Sequence, residues 1–259
     1  MFKKVLLKVL AMGVLASASL LNANQLEDIK KSGVIKVAVP QDFAPFGFAS
    51  KDLSLKGYDI DMAKYIADKL GIELKLVPVT SANRIPYLQT KKVDLIISSL
   101  GKNPQREKAI DFTDAYAPFF LGVFGKAEVK VSSAADLKGK TVGVTRGSIE
   151  DIELSKLVDS SVTIKRFEDN NTTISAYVSG QVNLIATGNI IISDLATKYP
   201  DTTPETKFSI KNSPCYIGIK KKQPELKTFL NDLIKELKSN EKLNETSKKW
   251  LKVDLPKGL

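Results

Sequence analysis

Histidine is absent from this 259-residue chain, and cysteine occurs once. Without histidine, a Ser-His-Asp triad, a Cys-His dyad and almost every common zinc site lose an essential group. The single Cys215 cannot form an intramolecular disulfide, so the core must be stable without covalent cross-links. An enzyme built on this chain would have to use carboxylates, lysine, tyrosine or the one cysteine. We therefore expect no metal site, no cofactor and no enzymatic activity.

Long apolar runs are absent after the first residues. The start of the chain, MFKKVLLKVLAMGVLASASLLNAN, combines a basic segment, an apolar stretch and small residues, which is typical of a secretory signal peptide. We expect residues 1–23 to be this signal peptide, cleaved after Ala23, with Ala18 as the second choice. No later segment approaches ~18 uninterrupted apolar residues, so the mature protein is expected to be soluble and periplasmic. Because no cysteine lies near the cleavage site, no lipid anchor is expected.

Arginine is also rare, since four of the 39 basic residues are arginine and the others are lysine. The net charge of +10 raises the question of nucleic-acid binding. The lysines, however, are spread along the chain and often stand beside acids, as in KELKSNEKLNE. Neither zinc-ligand spacing nor an aromatic RNA-binding motif accompanies them. We therefore expect a solvated basic surface and no nucleic-acid partner.

Short apolar runs alternate with segments of helical period, which indicates an α/β fold. VIKVAVP (34–40) and VDLIISS (93–99) are typical of buried strands in a parallel sheet. GYDIDMAKYIADKLG (57–71) is typical of a helix that ends at a glycine. The same alternation starts again at KTVGVT (140–145) and continues to VNLIAT (182–187). The sequence therefore predicts two α/β blocks of about a hundred residues each.

The end of the chain is too short to form a third block, although PELKTFLNDLIKELKSN has a clear amphipathic pattern. We therefore predict a split first lobe: lobe 1 comprises residues 24–117 plus 212–259, and lobe 2 comprises residues 118–211. Each lobe is expected to hold a mostly parallel sheet flanked by helices. A small ligand is expected in the cleft between the lobes, at the carboxyl ends of the strands.

Small hydroxyl residues and an arginine follow the predicted strand VDLII. Ser98, Ser99 and Gly101 allow backbone N–H groups to come close to a ligand. Arg106 adds a planar, two-pronged donor that matches a carboxylate. This combination predicts an anion site without catalytic groups. The alternative is that Arg106 forms an ion pair with an acid of the following segment, DFTDAY, and these residues alone favour neither.

Two further arginines stand at strand–helix junctions of the predicted cleft. Arg146 precedes a Gly-Ser turn, where Ser148 begins a helix whose free N–H groups attract anions. Arg84 belongs to SANRIPYLQT, which predicts a short helix beginning at a serine cap. Phe43, directly after the first strand, is expected to form a wall of the cleft. Arg166, in contrast, is expected on an exposed strand.

Taken in order, these segments resemble the bacterial extracellular solute-binding proteins of family 3, the polar amino acid type, which supply ABC importers. The resemblance spans the mature chain and depends on the order and spacing of LEDIKKSGVIKVAV, FAPFGF, GYDIDMAKYIADKLG, KVDLIISSL, PQREKAIDFTDAY, DLKGKTVGVTRGS, FE…SGQVNLIAT and KKW. It implies a type II periplasmic binding protein fold, with two α/β lobes joined by hinge strands. It also implies that ligand draws the lobes closed and that a membrane-embedded ABC permease recognises the closed form.

The resemblance also implies roles for individual residues. It assigns the ligand's α-carboxylate to Arg106 and the side-chain end of the ligand to Arg84. It assigns the adjoining contacts to residues of both lobes: Phe43, Ser98, Ser99, Gly101 and Ser148.

One position departs from the family pattern. Family members usually carry an aspartate after the strand that reads VNLIAT here, where it accepts the ligand's ammonium group, but this chain has Gly188. Loss of one partner of a buried charged hydrogen bond costs ~2–5 kcal/mol. Either the ammonium finds another acceptor, such as Glu150, Asp151 or the Asn189 carbonyl, or the ligand lacks a demanding ammonium. The predicted cleft thus has three arginines and lacks the usual aspartate, and this balance of charge favours a ligand rich in negative charge.

The leading hypothesis is a monomeric periplasmic binding protein for a polar, and by expectation acidic, amino acid or a related small carboxylate. A secreted enzyme similar to the cyclohexadienyl dehydratases is the first alternative, with Glu150 or Asp151 as its acid. A ligand-binding sensor or surface adhesin is the second alternative.

Overall fold

The computed structural model describes residues 24–259, except for the side chains of residues 193 and 194. The expected signal peptide, residues 1–23, lies outside the described residues. The strands are β1 (Val34–Val39), β2 (Asp42–Phe43), β3 (Gly47–Ala49), β4 (Leu55–Lys56), β5 (Glu73–Pro78), β6 (Leu95–Ile96), β7 (Asp111–Ala117), β8 (Phe120–Gly125), β9 (Thr141–Thr145), β10 (Thr163–Phe167), β11 (Leu184–Gly188), β12 (Glu205–Asn212) and β13 (Cys215–Ile219).

The helices of the described chain are α1 (Gln25–Ser32), α2 (Tyr58–Leu70), α3 (Arg84–Gln89), α4 (Pro104–Ala109), α5 (Ile149–Leu157), α6 (Asn170–Val178), α7 (Asn189–Lys198), α8 (Pro224–Ser239) and α9 (Lys242–Leu251). Short 3₁₀ turns occupy Ala134–Leu137 and Pro200–Thr202. No helix within residues 24–259 has the length and apolar character needed to cross a membrane.

Local sequence signals set the ends of the main helices. Helix α2 ends at Gly71, whose left-handed backbone (φ 64°) closes the last turn by donating to Ala67 and Asp68 carbonyls. This confirms the predicted glycine stop. Helix α5 is capped by Ser148, whose Oγ accepts a hydrogen bond from the N–H of Asp151 at 3.1 Å.

The predicted start of the helix in SANRIPYLQT is wrong. The structure places Ser81 in a turn closed by the Asn83 N–H and the Thr80 carbonyl at 3.1 Å, and α3 begins only at Arg84. A helix capped at Ser81 would put Pro86 where an N–H is needed, and the ring would clash with the preceding turn. From the observed start, Pro86 falls in the first turn, where its missing N–H costs nothing.

The structure contains two five-stranded sheets, in the orders β5-β1-β6-β13-β7 and β10-β9-β11-β8-β12. In each sheet one strand runs against the other four, β13 in the first and β8 in the second. Both are the strands by which the chain enters a sheet from the other one. The two sheets meet where the chain passes from one to the other. A strand that enters its sheet at this junction runs away from the junction, whereas the other four strands run toward it.

The sheets form two lobes, each covered by its own helices. Helices α1, α2, α3, α4 and α8 contact strands of the first sheet, and α5, α6 and α7 contact strands of the second. The chain passes between the sheets in two short segments, one between β7 and β8 and the other between β12 and β13. A hydrogen bond from the Ser213 N–H to the Phe119 carbonyl, at 2.9 Å, connects the two segments. A small third sheet, β2-β3-β4, which the sequence did not predict, extends lobe 1 beside the junction. The two-lobed α/β architecture predicted from the sequence is confirmed.

Candidate functional site

A small cavity lies where the carboxyl ends of the strands of both lobes meet. Its free volume is about 10 Å³, roughly the space that one water molecule needs. Four predicted site residues meet there: Phe43, Arg84 and Ser99 from lobe 1 and Ser148 from lobe 2. Among the other lining residues, Glu150 was predicted only as an alternative ammonium acceptor or catalytic acid, and four were not predicted as site residues: Ser81, Phe119, Ile149 and Asn170.

Aromatic rings form the apolar wall of the cavity. The Phe43 ring packs edge-on against Phe119, with 6.1 Å between ring centroids, and stacks on Phe46 at 6.0 Å. Phe46 is fully buried behind them in the core. Phe43 therefore lies between the cavity and the core of lobe 1, as expected of a wall residue.

A buried carboxylate shapes the loop that carries Ser99. Asp59 is fully buried, and its carboxylate accepts hydrogen bonds from the Ser99 N–H at 2.7 Å and the Tyr116 hydroxyl at 2.6 Å. Ser99 itself has a left-handed backbone (φ 40°), which is unfavourable for a residue other than glycine. Burial raises the pKa of Asp59 to about 7, although the bonds from Tyr116 and Ser99 and the charge of Arg84 lower it.

Arg106 bridges the two lobes. Its Nη1 donates to the Gly101 carbonyl at 2.7 Å, and its Nη2 donates to the Gly147 carbonyl of lobe 2 at 3.0 Å. Burial, followed by the nearby charge of Arg84, lowers the pKa of Arg106 to about 10, so it stays cationic at neutral pH. The alternative ion pair with DFTDAY does not form: the carboxylate of Asp111 pairs with Lys221 at 2.9 Å.

Arg84 is the guanidinium that lines the cavity directly. Its side chain is buried, with the residue only 4% exposed, and its Nε has no hydrogen-bond partner. A second cavity beside the first is lined by both Arg84 and Arg106, so the two guanidinium groups belong to one junction. Burial lowers the pKa of Arg84, while the charges of Glu150, Asp59 and Asp42 oppose this effect.

The structure does not bring Arg146 to the cavity. Its side chain is 53% exposed and pairs with Glu168, with 3.6 Å between Nε and Oε2. Its backbone N–H donates to the Phe167 carbonyl at the end of the edge strand β10 at 2.8 Å, next to Glu168, with which its side chain pairs. Arg166 is exposed on β10, as expected, and pairs with Asp151 at 2.8 Å.

Ser98 and Gly101 lie behind the cavity rather than along it. Ser98 is fully buried and its Oγ has no hydrogen-bond partner. A Cβ atom at Gly101 would lie 2.6 Å from the Ser213 Oγ and 3.0 Å from the Ile149 side chain of lobe 2. Gly101 therefore permits close contact of the lobes, and its carbonyl fixes Arg106.

Gly188, the position expected to hold an acid, is occupied by a neighbouring ring. A Cβ atom at Gly188 would lie 2.0 Å from the Phe119 Cζ, so no side chain fits there while the ring keeps this position. The Asn189 Oδ1 is already an acceptor, for the Phe120 N–H at 3.2 Å. The ring of Phe119 therefore replaces the expected acid at this corner of the cavity.

Glu150 is the carboxylate that lines the cavity. It lies in the first turn of α5, and the residue is 5% exposed. Burial raises the pKa of Glu150, while its own backbone N–H, the Ser148 hydroxyl and the charges of Arg84 and Arg106 lower it. Within residues 24–259, no cluster of three or more cysteine and acidic side chains is arranged to hold a metal ion.

Direct hydrogen bonds hold the lobes together around the cavity. The Asp42 carboxylate of lobe 1 accepts the Asn170 N–H at 2.7 Å and its Nδ2 at 3.1 Å at the start of α6. At Gly147 (φ 70°), a Cβ atom would lie 3.1 Å from the Ala82 Cα. Together with the Arg106 bridge, these contacts place the lobes in a closed arrangement.

Comparisons with known proteins agree with this architecture. The profile of the bacterial extracellular solute-binding proteins, family 3, matches residues 35–253. The L-cystine-binding protein TcyJ of Escherichia coli K12 is 26% identical over 260 residues, which cover 98% of this chain and 97% of that protein. The glutamine-binding protein GlnH of Bacillus subtilis 168, an ABC transporter protein, is 31% identical over 234 residues, 88% of this chain and 85% of that protein.

A solved structure shares the fold over almost its whole length. The cysteine-binding protein from Campylobacter jejuni superposes with a TM-score of 0.83 and 27% sequence identity. The match covers 91% of this chain and 96% of that chain.

Alanine at Gly188 tests the crowding by Phe119. We expect Gly188→Ala to lower the free energy of unfolding by about 1–3 kcal/mol, because the added methyl group overlaps the ring. Urea unfolding of the single variants and of Gly188→Ala combined with Phe119→Leu measures the coupling, and the loss should be smaller when the ring is absent. Wild-type stability of Gly188→Ala would contradict the observed packing.

The buried Asp59 predicts a pH-dependent stability. Its pKa is higher in the folded protein than in the unfolded chain, so the folded state binds more protons between about pH 4 and pH 7 and its stability falls as the pH rises. Asp59→Asn should flatten this slope in urea unfolding measured across that range. Asp68→Asn, an exposed position of the same helix, is the control and should keep the wild-type slope. Equal slopes for wild type and Asp59→Asn would contradict the assignment.

Proposed function

The chain belongs to the bacterial extracellular solute-binding proteins of family 3, and from this premise we propose that it is the periplasmic substrate-binding component of an ABC importer. The relatives named above bind cystine, glutamine and cysteine, so an amino acid is the class of ligand proposed for this cavity. The proposed partners are this small ligand and a membrane-embedded permease.

An acidic amino acid or a related small carboxylate is the proposed ligand. The observation that carries this proposal is the pair of buried guanidinium groups at the junction, of which Arg84 has an Nε without a partner. In this proposal Arg106 binds the α-carboxylate, with Ser99 beside it, and Arg84 faces the side-chain end. Arg106 uses two of its five N–H donors on carbonyls, which leaves donors for a carboxylate.

Lobe closure is the proposed mechanism of capture. The lobes comprise residues 24–117 plus 212–259 and residues 118–211, and the two short crossing segments act as hinges. Ligand charge between the lobes favours the closed arrangement, in which Arg106 reaches Gly147 and Asp42 reaches Asn170. The permease then recognises the closed surface.

The site is proposed to bind without turnover. Glu150 is a buried carboxyl with a raised pKa, a property that a general acid requires, but the cavity presents no second acid or base beside it. Incubation of the protein with prephenate or arogenate is expected to yield no aromatic product, and product formation would favour a dehydratase instead.

A thermal-shift screen of residues 24–259 with amino acids and dicarboxylic acids tests the proposed ligand. A true ligand at 100-fold its Kd stabilises the folded protein by ~2.7 kcal/mol. We expect L-glutamate or L-aspartate to give the largest shift. Arg84→Ala should weaken the best acidic ligand by about 30-fold or more, since a buried charged contact is worth ~2 kcal/mol at least.

Arg146→Ala is the matched control, because this arginine is exposed outside the cavity, and it should keep wild-type affinity. Full affinity of Arg84→Ala for the best acidic ligand, or shifts by basic or apolar amino acids alone, would overturn the acidic assignment.

A further inference from the structure

An ammonium group bound in this cavity is stabilised most by an anionic acceptor, because a buried charge without a partner is strongly unfavourable. The last residue of β11 cannot supply one. It is Gly188, and the Phe119 ring fills the space that a side chain would need, with Cζ 2.0 Å from an ideal Cβ. The acceptor must therefore come from another element at the junction.

Three other carboxylates near the junction already have partners. Asp59 is fully buried and accepts from Ser99 and Tyr116. Asp151 accepts from the Gly147 N–H at 3.0 Å and from the Arg166 Nε at 2.8 Å. Asp42 accepts two hydrogen bonds from Asn170. None of the three lines the cavity.

Glu150 differs from these carboxylates in two ways. It lines the cavity directly, and none of the ion pairs found within residues 24–259 involves it. Its place in the first turn of α5 stabilises a negative charge through the helix dipole. The cavity thus presents one carboxylate that has no cationic partner in contact with it.

Arg84 provides an independent observation at the same cavity. Its side chain is more than nine-tenths buried, and its Nε has no hydrogen-bond partner. Glu150 and Arg84 line one cavity but do not form an ion pair with each other. The Glu150 carboxylate interacts with the Ser148 hydroxyl but with no cation in contact, and the Arg84 Nε has no hydrogen-bond partner. These groups of opposite charge around one small space match a ligand that carries both an ammonium and a carboxylate.

We propose that Glu150 accepts the ammonium group of the ligand and thereby selects amino acids over the matching carboxylic acids without an amino group. The proposal rests on the proposed function, since it concerns the same cavity. It places the ammonium acceptor on the first turn of a lobe 2 helix instead of the end of a lobe 2 strand.

Isothermal titration calorimetry with two ligand pairs tests the role of Glu150. The pairs are L-glutamate with glutarate and L-glutamine with glutaramate, and the members of each pair differ only in the ammonium group. The wild type should bind the amino acid at least tenfold more tightly than its partner. Glu150→Gln should lose this preference, mainly because the amino acid binds more weakly while the partner binds as before or more tightly.

Glu153→Gln is the matched control, because Glu153 lies on the same helix but does not line the cavity. Its carboxylate pairs with the Lys156 Nζ at a distance of 2.8 Å. This variant should keep the wild-type preference. Glu150→Asp keeps the charge and should keep part of the preference, which also covers the case in which Glu150→Gln does not fold.

The possible results of the titrations distinguish the role of Glu150 from the proposed function. An unchanged preference in Glu150→Gln, or equal binding of both members of a pair by the wild type, overturns the role of Glu150 and leaves the proposed function standing. Binding of L-glutamine but not L-glutamate overturns the acidic ligand, and the glutamine pair then decides the role of Glu150. Binding of none of the four compounds overturns both proposals.

Discussion

The burial of two guanidinium groups at the junction of the lobes is the constraint on which the site depends. Arg84 and Arg106 are both at least nine-tenths buried, and the charge of Arg84 lowers the pKa of Arg106. Such an arrangement is stable only if negative charge or strong acceptors surround it. Glu150 and the carbonyls of Gly101 and Gly147 supply part of this compensation, and an anionic ligand would supply the rest.

The same constraint links binding to closure. The carbonyl that Arg106 reaches at Gly147 belongs to the opposite lobe, so this one of its two side-chain hydrogen bonds forms only when the lobes are together. The Asp42 carboxylate reaches the start of α6 in the same arrangement. In the proposed mechanism, ligand charge and interlobe hydrogen bonds favour the same conformation, and this is the physical basis of the proposed capture by closure.

Sequence reasoning predicted those parts of the site that depend on strand order. Strand ends at one edge of a parallel sheet must meet, and this rule correctly brought Phe43, Arg84 and Ser148 to one cavity. It failed for Arg146, which also follows a strand end but whose side chain lies at the surface and pairs with Glu168.

The sequence also did not predict contacts between segments that are far apart in the chain. The Phe119 ring against Gly188 and the Asp59 carboxylate beneath Ser99 join residues far apart in the chain, and no local pattern marks them. Asn170 and Ser81, in contrast, follow strands β10 and β5, so the strand-end rule applied to every strand would have found them.

Small-angle X-ray scattering of residues 24–259, with and without saturating L-glutamate, tests the central claim most directly. If an acidic amino acid bridges the lobes, the radius of gyration should fall on addition of the ligand, and the scattering curve should approach the one calculated from the closed arrangement described above. An unchanged radius of gyration, at a concentration where L-glutamate is shown to bind, would contradict capture by closure.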